Sequence, residues 1–240
     1  MIKADKKKAF QKLFHFYNRF LISRSFHHIS ISKNSWVPTT NHGIYLMNHS
    51  SWWDSLILFY LNQEKLKLDG IAMMAEEGLQ RFPFFRKIGA FSVDPTSRRS
   101  LLESLNYASD QLQHDKHLFL FPQGEESHLE KRPFTFFSGA AYLQEKVPST
   151  PVIPIVFYHG LFHHQLPEWY IHIGQPMTFP EGANRKEKTF IFEQNVEDEL
   201  NQLKQMVMSD QPDQFLVLLR GKQGIGQRWE NMKKRWKRED

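Results

Sequence analysis

Residues 43–61 read Gly43-Ile-Tyr-Leu-Met-Asn-His-Ser-Ser-Trp-Trp-Asp-Ser-Leu-Ile-Leu-Phe-Tyr-Leu61. Gly43 to Met47 is a short apolar run of strand length, and Trp52 to Leu61 is an apolar stretch of helical character. The polar N-H-S-S segment between them reads as a turn, with Ser50 or Ser51 placed to cap the helix. A buried strand feeding a buried helix through a tight turn is the repeating unit of an α/β sheet.

The rest of the chain repeats this alternation. Strands are expected at Leu68–Met74, Ala90–Val93, His117–Phe121, Pro151–Phe157 and Trp169–Ile173. Pro154 inside the fourth of these points to an edge strand or a bulge. Helices are expected over a short segment ending around Phe85, then at Ser97–Gln113, Phe136–Lys146 and Arg185–Met208, with a charged helical tail from Asp213 that is interrupted at 221–226. From Asp5 to about Ser25, Phe10, Leu13, Phe14, Tyr17, Phe20 and Leu21 recur at spacings of three and four with Lys or Arg between them, the pattern of a basic amphipathic helix. The fold class expected is therefore α/β: a mixed, largely parallel β-sheet layered with helices and preceded by an amphipathic helix.

The 240 residues are enough for one α/β domain with a substantial core. The absence of cysteine excludes a disulfide scaffold, a thiolate zinc site, an iron–sulfur cluster and a cysteine nucleophile. The net charge of +5 is unevenly spread: residues 1–35 carry +7 and residues 220–240 carry +5, leaving −7 on the body between them. Basic ends of this kind suit nucleic acid, anionic lipid or water. No run of about 18 apolar residues is present, and residues 1–8 are too polar for a signal peptide, so a cytosolic location with membrane contact left open is expected. Aromatic residues on the apolar side of the 5–25 helix and cations on its polar side favour docking on a membrane surface over simple packing, and Arg228-Trp-x6-Trp-Lys-Arg238 carries the same combination.

The stretch Asn48-His-x4-Asp54 has a chemical use. A histidine leaving a buried strand, with a carboxylate five positions on in the first turn of a helix, can have one ring nitrogen held and the other free to accept a proton. That spacing alone is what chance supplies. Further along, Pro122 and Gly124 in Phe121-Pro-Gln-Gly-Glu-Glu-Ser127 end a buried strand in a tight turn, at the sheet edge where α/β proteins bind ligands. With Gly89-Ala-Phe-Ser-Val-Asp-Pro95 and Val152-Ile-Pro-Ile155, these four blocks in order resemble the glycerolipid (lysophosphatidic acid) acyltransferase family, whose signature runs N-H-x4-D, G-x-F-x-[VI]-D-R, F-P-E-G-T-R-S and V-[IV]-P-[IV].

The resemblance implies an O-acyltransferase that moves a fatty acyl group from a thioester, acyl-CoA or acyl carrier protein, to a hydroxyl of a lipid acceptor. His49 would be the general base and Asp54 its orienting carboxylate, with no covalent enzyme intermediate and with backbone amides near Pro122-Gln123-Gly124 polarising the thioester carbonyl. It implies the third block, Gln123, Gly124, Glu125 and Glu126, as substrate-binding residues, to which Lys87 is added as a cation nearby in sequence, and no cofactor beyond the thioester co-substrate. It divides the chain into an N-terminal helical segment (1–35), an acyltransferase catalytic domain (36–212) and a basic helical tail (213–240), held peripherally on the cytoplasmic face of an anionic membrane.

The departures from the pattern bear on the acceptor. The family's phosphate-binding arginines fall at Pro95 and Glu126, its third-block glutamate at Gln123 and its threonine at Glu125. Carboxylates there repel phosphate and suit hydroxyls, so a neutral lipid alcohol, a glycolipid or a sugar hydroxyl on a glycosylated isoprenoid or carotenoid is expected ahead of lysophosphatidic acid. Lys87, Arg98 and Arg99 are the nearby cations in sequence. Glu125 and Glu126 read equally as solvated turn residues, and Asp94 as the end of a strand. Phe82–Phe85 and Phe134–Phe137 read as core or as the wall of an acyl pocket. The pairs among His27/His28, His114/His117 and His159/His163/His164 read as surface residues, with no metal site expected. A catalytically degenerate lipid-binding membrane protein is the alternative class. Nucleic acid is not expected as a partner, since no recognition motif accompanies the basic ends.

Overall fold

The computed structural model describes residues 1–226 together with Trp229 and Lys233. In chain order the elements are α1 (Lys8–Ser25), β1 (His28–Ser32), β2 (Gly43–Met47), α2 (Asp54–Leu61), β3 (Gly70–Ala75), α3 (Glu76–Arg81), β4 (Ala90–Val93), α4 (Arg98–Gln113), β5 (His117–Leu120), α5 (Gly139–Lys146), β6 (Val152–Gly160), β7 (Glu168–Ile173), α6 (Arg185–Met208) and β8 (Phe215–Arg220). One mixed sheet runs β4-β3-β5-β2-β6-β7-β1-β8. Its pairings are parallel except β6–β7 and β1–β8.

The continuous apolar runs bury both faces of this sheet. Along β2, Ile44 and Leu46 face a core completed by Leu105, Ala108 and Leu112 of α4, Ala140 and Leu143 of α5 and Val196, Leu200 and Leu203 of α6. Tyr45 and Met47 face the opposite core, closed by Ile57, Leu58 and Leu61 of α2 and Ile22 of α1. All of α2 after Ser55 is buried, which is why its sequence is apolar on every side.

Three expectations are corrected. Pro154 lies in an interior strand, between β2 and β7, and the β2–β6 register runs through it unbroken (Leu46 opposite Pro154). Its nitrogen faces the β7 side just beyond the last β6–β7 pair, Ile155 with Ile173; there the Gly174 N–H donates to the Pro154 carbonyl (3.0 Å), and the reciprocal bond to Gly174 is the one that proline cannot make. Residues 215–220 form a strand rather than a helix and pair antiparallel with β1 at the sheet edge. β1 itself has no counterpart in the sequence reading, because its period-two pattern, with Ile29 and Ile31 buried, sits inside the basic flank. The Arg228–Arg238 motif lies mostly outside the described residues.

α1 uses two faces. Phe14 and Ile22 are buried, Phe10 and Leu21 partly so, against α2 and the turn at 83–88, and the buried Asn18 amide donates to the Leu56 carbonyl (2.9 Å). Leu13, Phe16, Tyr17 and Phe20 instead point outward, 56–69% exposed. The stripe expected to be one apolar side is thus divided between packing and solvent. Among the described residues, no helix is long and apolar enough to cross a membrane.

Two outcomes check this architecture. Leu219→Ala on β8 should cost about 2–4 kcal/mol in urea denaturation and Val217→Ala, on the outer side of the same strand, less than about 1 kcal/mol; equal, negligible effects would mean that β8 contributes nothing to the core. His117 is buried beneath Tyr45, and burial pushes its imidazole down to about 4. The unfolded chain takes up that proton near ~6.5, so stability should fall as pH drops from that value to about 4. His117→Gln should flatten this part of the curve.

Candidate active site

β2 to β6 run parallel, so their carboxyl ends share one edge of the sheet. β2 stops at Met47 and the chain turns through residues 48–53 into α2. Asn48, 1% exposed, fixes the start of that turn by acting as a surrogate ladder partner: its amide donates to the Phe157 carbonyl (3.0 Å), and its carbonyl accepts from the Phe157 N–H (2.8 Å).

Asp54 opens α2 and is fully buried. One carboxylate oxygen, Oδ2, accepts from the Ser50 N–H (2.7 Å), the Ser51 N–H (2.9 Å) and Nδ1 of His49 (2.8 Å). No serine caps the helix, contrary to expectation; Trp53 occupies the cap position, and Ser51 Oγ accepts from its N–H (3.2 Å). The aspartate itself gathers the amides of the turn, and a carboxylate at a helix start is also favoured by the helix dipole. With Nδ1 held, His49 keeps Nε2 without a hydrogen-bond partner among the described residues. Its ring packs on Phe121 (centroids 4.5 Å apart) with the side chain 18% exposed.

The third block holds His49 from the other side. Gln123 Oε1 accepts from the His49 N–H (2.7 Å), and the Ser127 N–H donates to the His49 carbonyl (2.9 Å). Gln123 is therefore engaged with the backbone of the proposed base. Gly124 adopts a φ of +79°, and a Cβ there would meet the Phe137 ring at 2.4 Å, so the turn requires glycine. Its N–H is spent on the Phe121 carbonyl (3.0 Å) and Pro122 has none. The amides of Gln123, Glu125 and Glu126 are the ones without an acceptor among the described residues. The Glu125 and Glu126 side chains are exposed on the same loop.

Lys87 is not brought to this site. It precedes β4, at the amino edge of the sheet, with its ammonium over the Phe10 ring (5.1 Å) and its carbonyl accepting from the Lys7 N–H (3.0 Å). Asp94 does end a strand: Oδ1 accepts from Thr96 N–H (2.9 Å) and Oγ1 (2.6 Å), which pulls its carboxyl below the usual range. Ser97 then caps α4. Arg98 and Arg99 are exposed at the carboxyl edge; Arg99 pairs with Glu103 (3.2 Å), while Arg98 has no partner among the described residues. β4 stands three strand spacings from β2, about 14 Å. Phe134 and Phe136 are core, whereas Phe137 and Trp52, on the turn beside His49, are exposed.

His159, read from sequence as a surface residue, lies near the end of β6 against the 48–53 turn. Its Nε2 is 3.2 Å from Ser50 Oγ, and its ring stacks on Trp169 (4.1 Å, 14°). Burial holds its pKa down, partly offset by the Asp54 charge. The available signal was its place after an apolar strand, the same position that His49 has after β2.

A model of the acyltransferase family matches residues 28–158. Among solved structures, the chain resembles the 1-acyl-sn-glycerophosphate (LPA) acyltransferase PlsC from Thermotoga maritima, with a TM-score of 0.55 and 16% identity over 82% of this chain and 79% of that one. The chain matches no curated protein at a significant level.

The turn's stability should depend on Asp54 and not on His49. Asp54→Ala leaves two amides unpaired and should cost about 2–4 kcal/mol by urea denaturation. Asp54→Asn, which keeps an acceptor oxygen, should cost less. His49→Ala should stay within about 1 kcal/mol of the parent.

Proposed function

Since the chain belongs to the acyltransferase family, we propose that this enzyme transfers a fatty acyl group from acyl-CoA or an acyl carrier protein to a lipid hydroxyl, with His49 as general base. The observation that carries this reading is the 2.8 Å contact from His49 Nδ1 to a fully buried Asp54, which leaves Nε2 as the proton acceptor at the carboxyl edge. The acceptor hydroxyl gives its proton to Nε2 as its oxygen attacks the thioester carbonyl. Amides of the Gln123–Glu126 loop stabilise the resulting oxyanion. Collapse of the tetrahedral intermediate expels the thiolate, which takes the proton back from the imidazolium. Asp54 offsets the positive charge that the ring carries in between, as the aspartate of a hydrolytic triad does.

The acceptor we propose is a neutral lipid alcohol, such as a sugar-bearing lipid. Glu125 and Glu126 are exposed on the loop that holds His49, and Pro95 and Glu126 stand where the family's arginines bind phosphate. A phosphate-bearing acceptor is the second reading, favoured by Arg98 at the same sheet edge. The protein works on a membrane surface, at its cytoplasmic face. The outward stripe of Leu13, Phe16, Tyr17 and Phe20 on α1 supplies apolar area, and Lys12, Arg19 and Arg24 on the same helix supply charge for anionic lipid.

His49→Ala should lower acyl transfer at least ~10³-fold while leaving sedimentation with anionic liposomes intact; retained turnover removes the base assignment. With the parent enzyme, a lysoglycolipid or neutral glycolipid should have a higher kcat/KM than lysophosphatidic acid. The reverse order, together with a loss on Arg98→Ala, would establish the phosphate-bearing acceptor.

A further inference from the structure

Three histidines that are scattered in sequence converge at the far end of the carboxyl edge. β1 and β7 run opposite to β2, so their first residues lie where β2 and β6 end. His27 precedes β1, His28 begins it, and His164 lies in the 161–167 connection from β6 to β7. One ring nitrogen from each of the three lies within 4.8 Å of the others. His27 Nδ1 and His28 Nδ1 approach to 2.9 Å, and the His27 ring lies flat on His164 with centroids 3.5 Å apart. All three rings are half-buried and thus within reach of an ion from solvent.

Beneath them sits Glu168, the first residue of β7, only 1% exposed and in register with His28. Its Oε1 is 2.5 Å from His164 Nδ1 and also accepts from the His163 N–H (3.3 Å); its Oε2 accepts from the Tyr170 hydroxyl (2.7 Å) and lies 3.8 Å from His28 Nε2. A carboxylate holding Nδ1–H fixes the tautomer of His164 and leaves Nε2 as the nitrogen with the lone pair. This carboxylate–histidine pairing is how metal-binding imidazoles are oriented.

We propose that His27, His28 and His164 form a binding site for a zinc-class divalent ion, with Glu168 as the carboxylate that positions His164. Three imidazoles and an open fourth position suit zinc among the first-row metals. Zinc–nitrogen bonds of about 2.0–2.1 Å put neighbouring ligand nitrogens roughly 3.3 Å apart, so His27 and His28 need to separate by only a few tenths of an ångström. One ring of the stacked pair must also turn, because parallel imidazoles aim their lone pairs past each other. The bound ion would tie the start of β1 to the β6–β7 connection, which carries the exposed Leu161 and Phe162. Sequence spacing hides the site because 135 or more residues separate its two halves and its carboxylate comes from a strand rather than a helix.

The test uses the full chain after chelator treatment and dialysis. Titration with zinc alone, followed by calorimetry, should show one saturable equivalent at micromolar or lower concentration, with a rise in the thermal midpoint. His164→Ala and His28→Ala should each weaken binding more than ~10-fold and Glu168→Gln ~10-fold, while His114→Ala and His128→Ala, at exposed sites elsewhere, should leave it unchanged. Cobalt added to the parent protein should give the intense visible absorption of tetrahedral coordination, a readout that needs no variant to fold. No saturable zinc and no such band, or binding that survives both His28→Ala and His164→Ala, would overturn the proposal and leave a hydrogen-bonded histidine cluster.

Discussion

Placing a carboxylate where no water reaches it is costly unless donors surround it. Asp54 meets that condition at Oδ2, with donors that all come from the chain immediately before it: the amides of Ser50 and Ser51 and the ring of His49; its equally buried Oδ1 has no donor among the described residues. The same three bonds close the strand-to-helix turn and fix which nitrogen of His49 is left open. The helix behind Asp54 has no freedom to withdraw, since α2 is buried between the sheet and α1. The local fold and the proposed chemistry therefore rest on one oxygen atom, and a change that loosens the turn also disorients His49.

A second constraint ties this turn to a segment more than 70 residues away. The His49 peptide unit is gripped at its N–H by Gln123 and at its carbonyl by the Ser127 amide, so the loop after β5 can take up its shape only when β2 and β5 are paired. This gives a physical meaning to Gln123 at a position where the family carries glutamate. An acceptor oxygen is what the His49 N–H requires, and an amide supplies it without adding negative charge beside Asp54. The carboxylates the loop does carry, at 125 and 126, are turned to solvent.

Much of this is legible in the sequence. The uninterrupted runs at 43–47, 117–121 and 151–157 announced buried parallel strands because both of their faces are covered, and the His49–Asp54 spacing spanned one turn whose geometry is set locally. What was not legible depended on contacts distant in sequence. β1 and β8 are edge-side strands whose patterns are half polar or follow a charged segment, and they become strands by pairing with each other. Lys87 looked close to the site in sequence, but the chain from α3 to β4 crosses the whole sheet and leaves it at the opposite edge. His159 and the 27/28/164 cluster were invisible for the same reason: strand order, which no local pattern encodes, sets them along one edge with His49.

Packing on α2 explains the division of α1. A helix lying over α2 must give its inward residues to packing, and Phe14, Asn18 and Ile22 are spent there. The four large residues left outside stay more than half exposed, beside neighbours on α1 itself such as Arg24 over the Phe20 ring, although their burial would be worth several kcal/mol. A soluble enzyme has no reason to leave such area uncovered on one helix, whereas an enzyme whose acceptor is a lipid gains from it. α1 contacts α2, and α2 begins at Asp54, so a lipid surface met by the outer face of α1 would lie one helix away from the proposed base. On the proposed reading, the cations of α1 belong to a surface that meets the membrane, and the negative charge of the body includes Glu125 and Glu126 on the loop that would receive the hydroxyl.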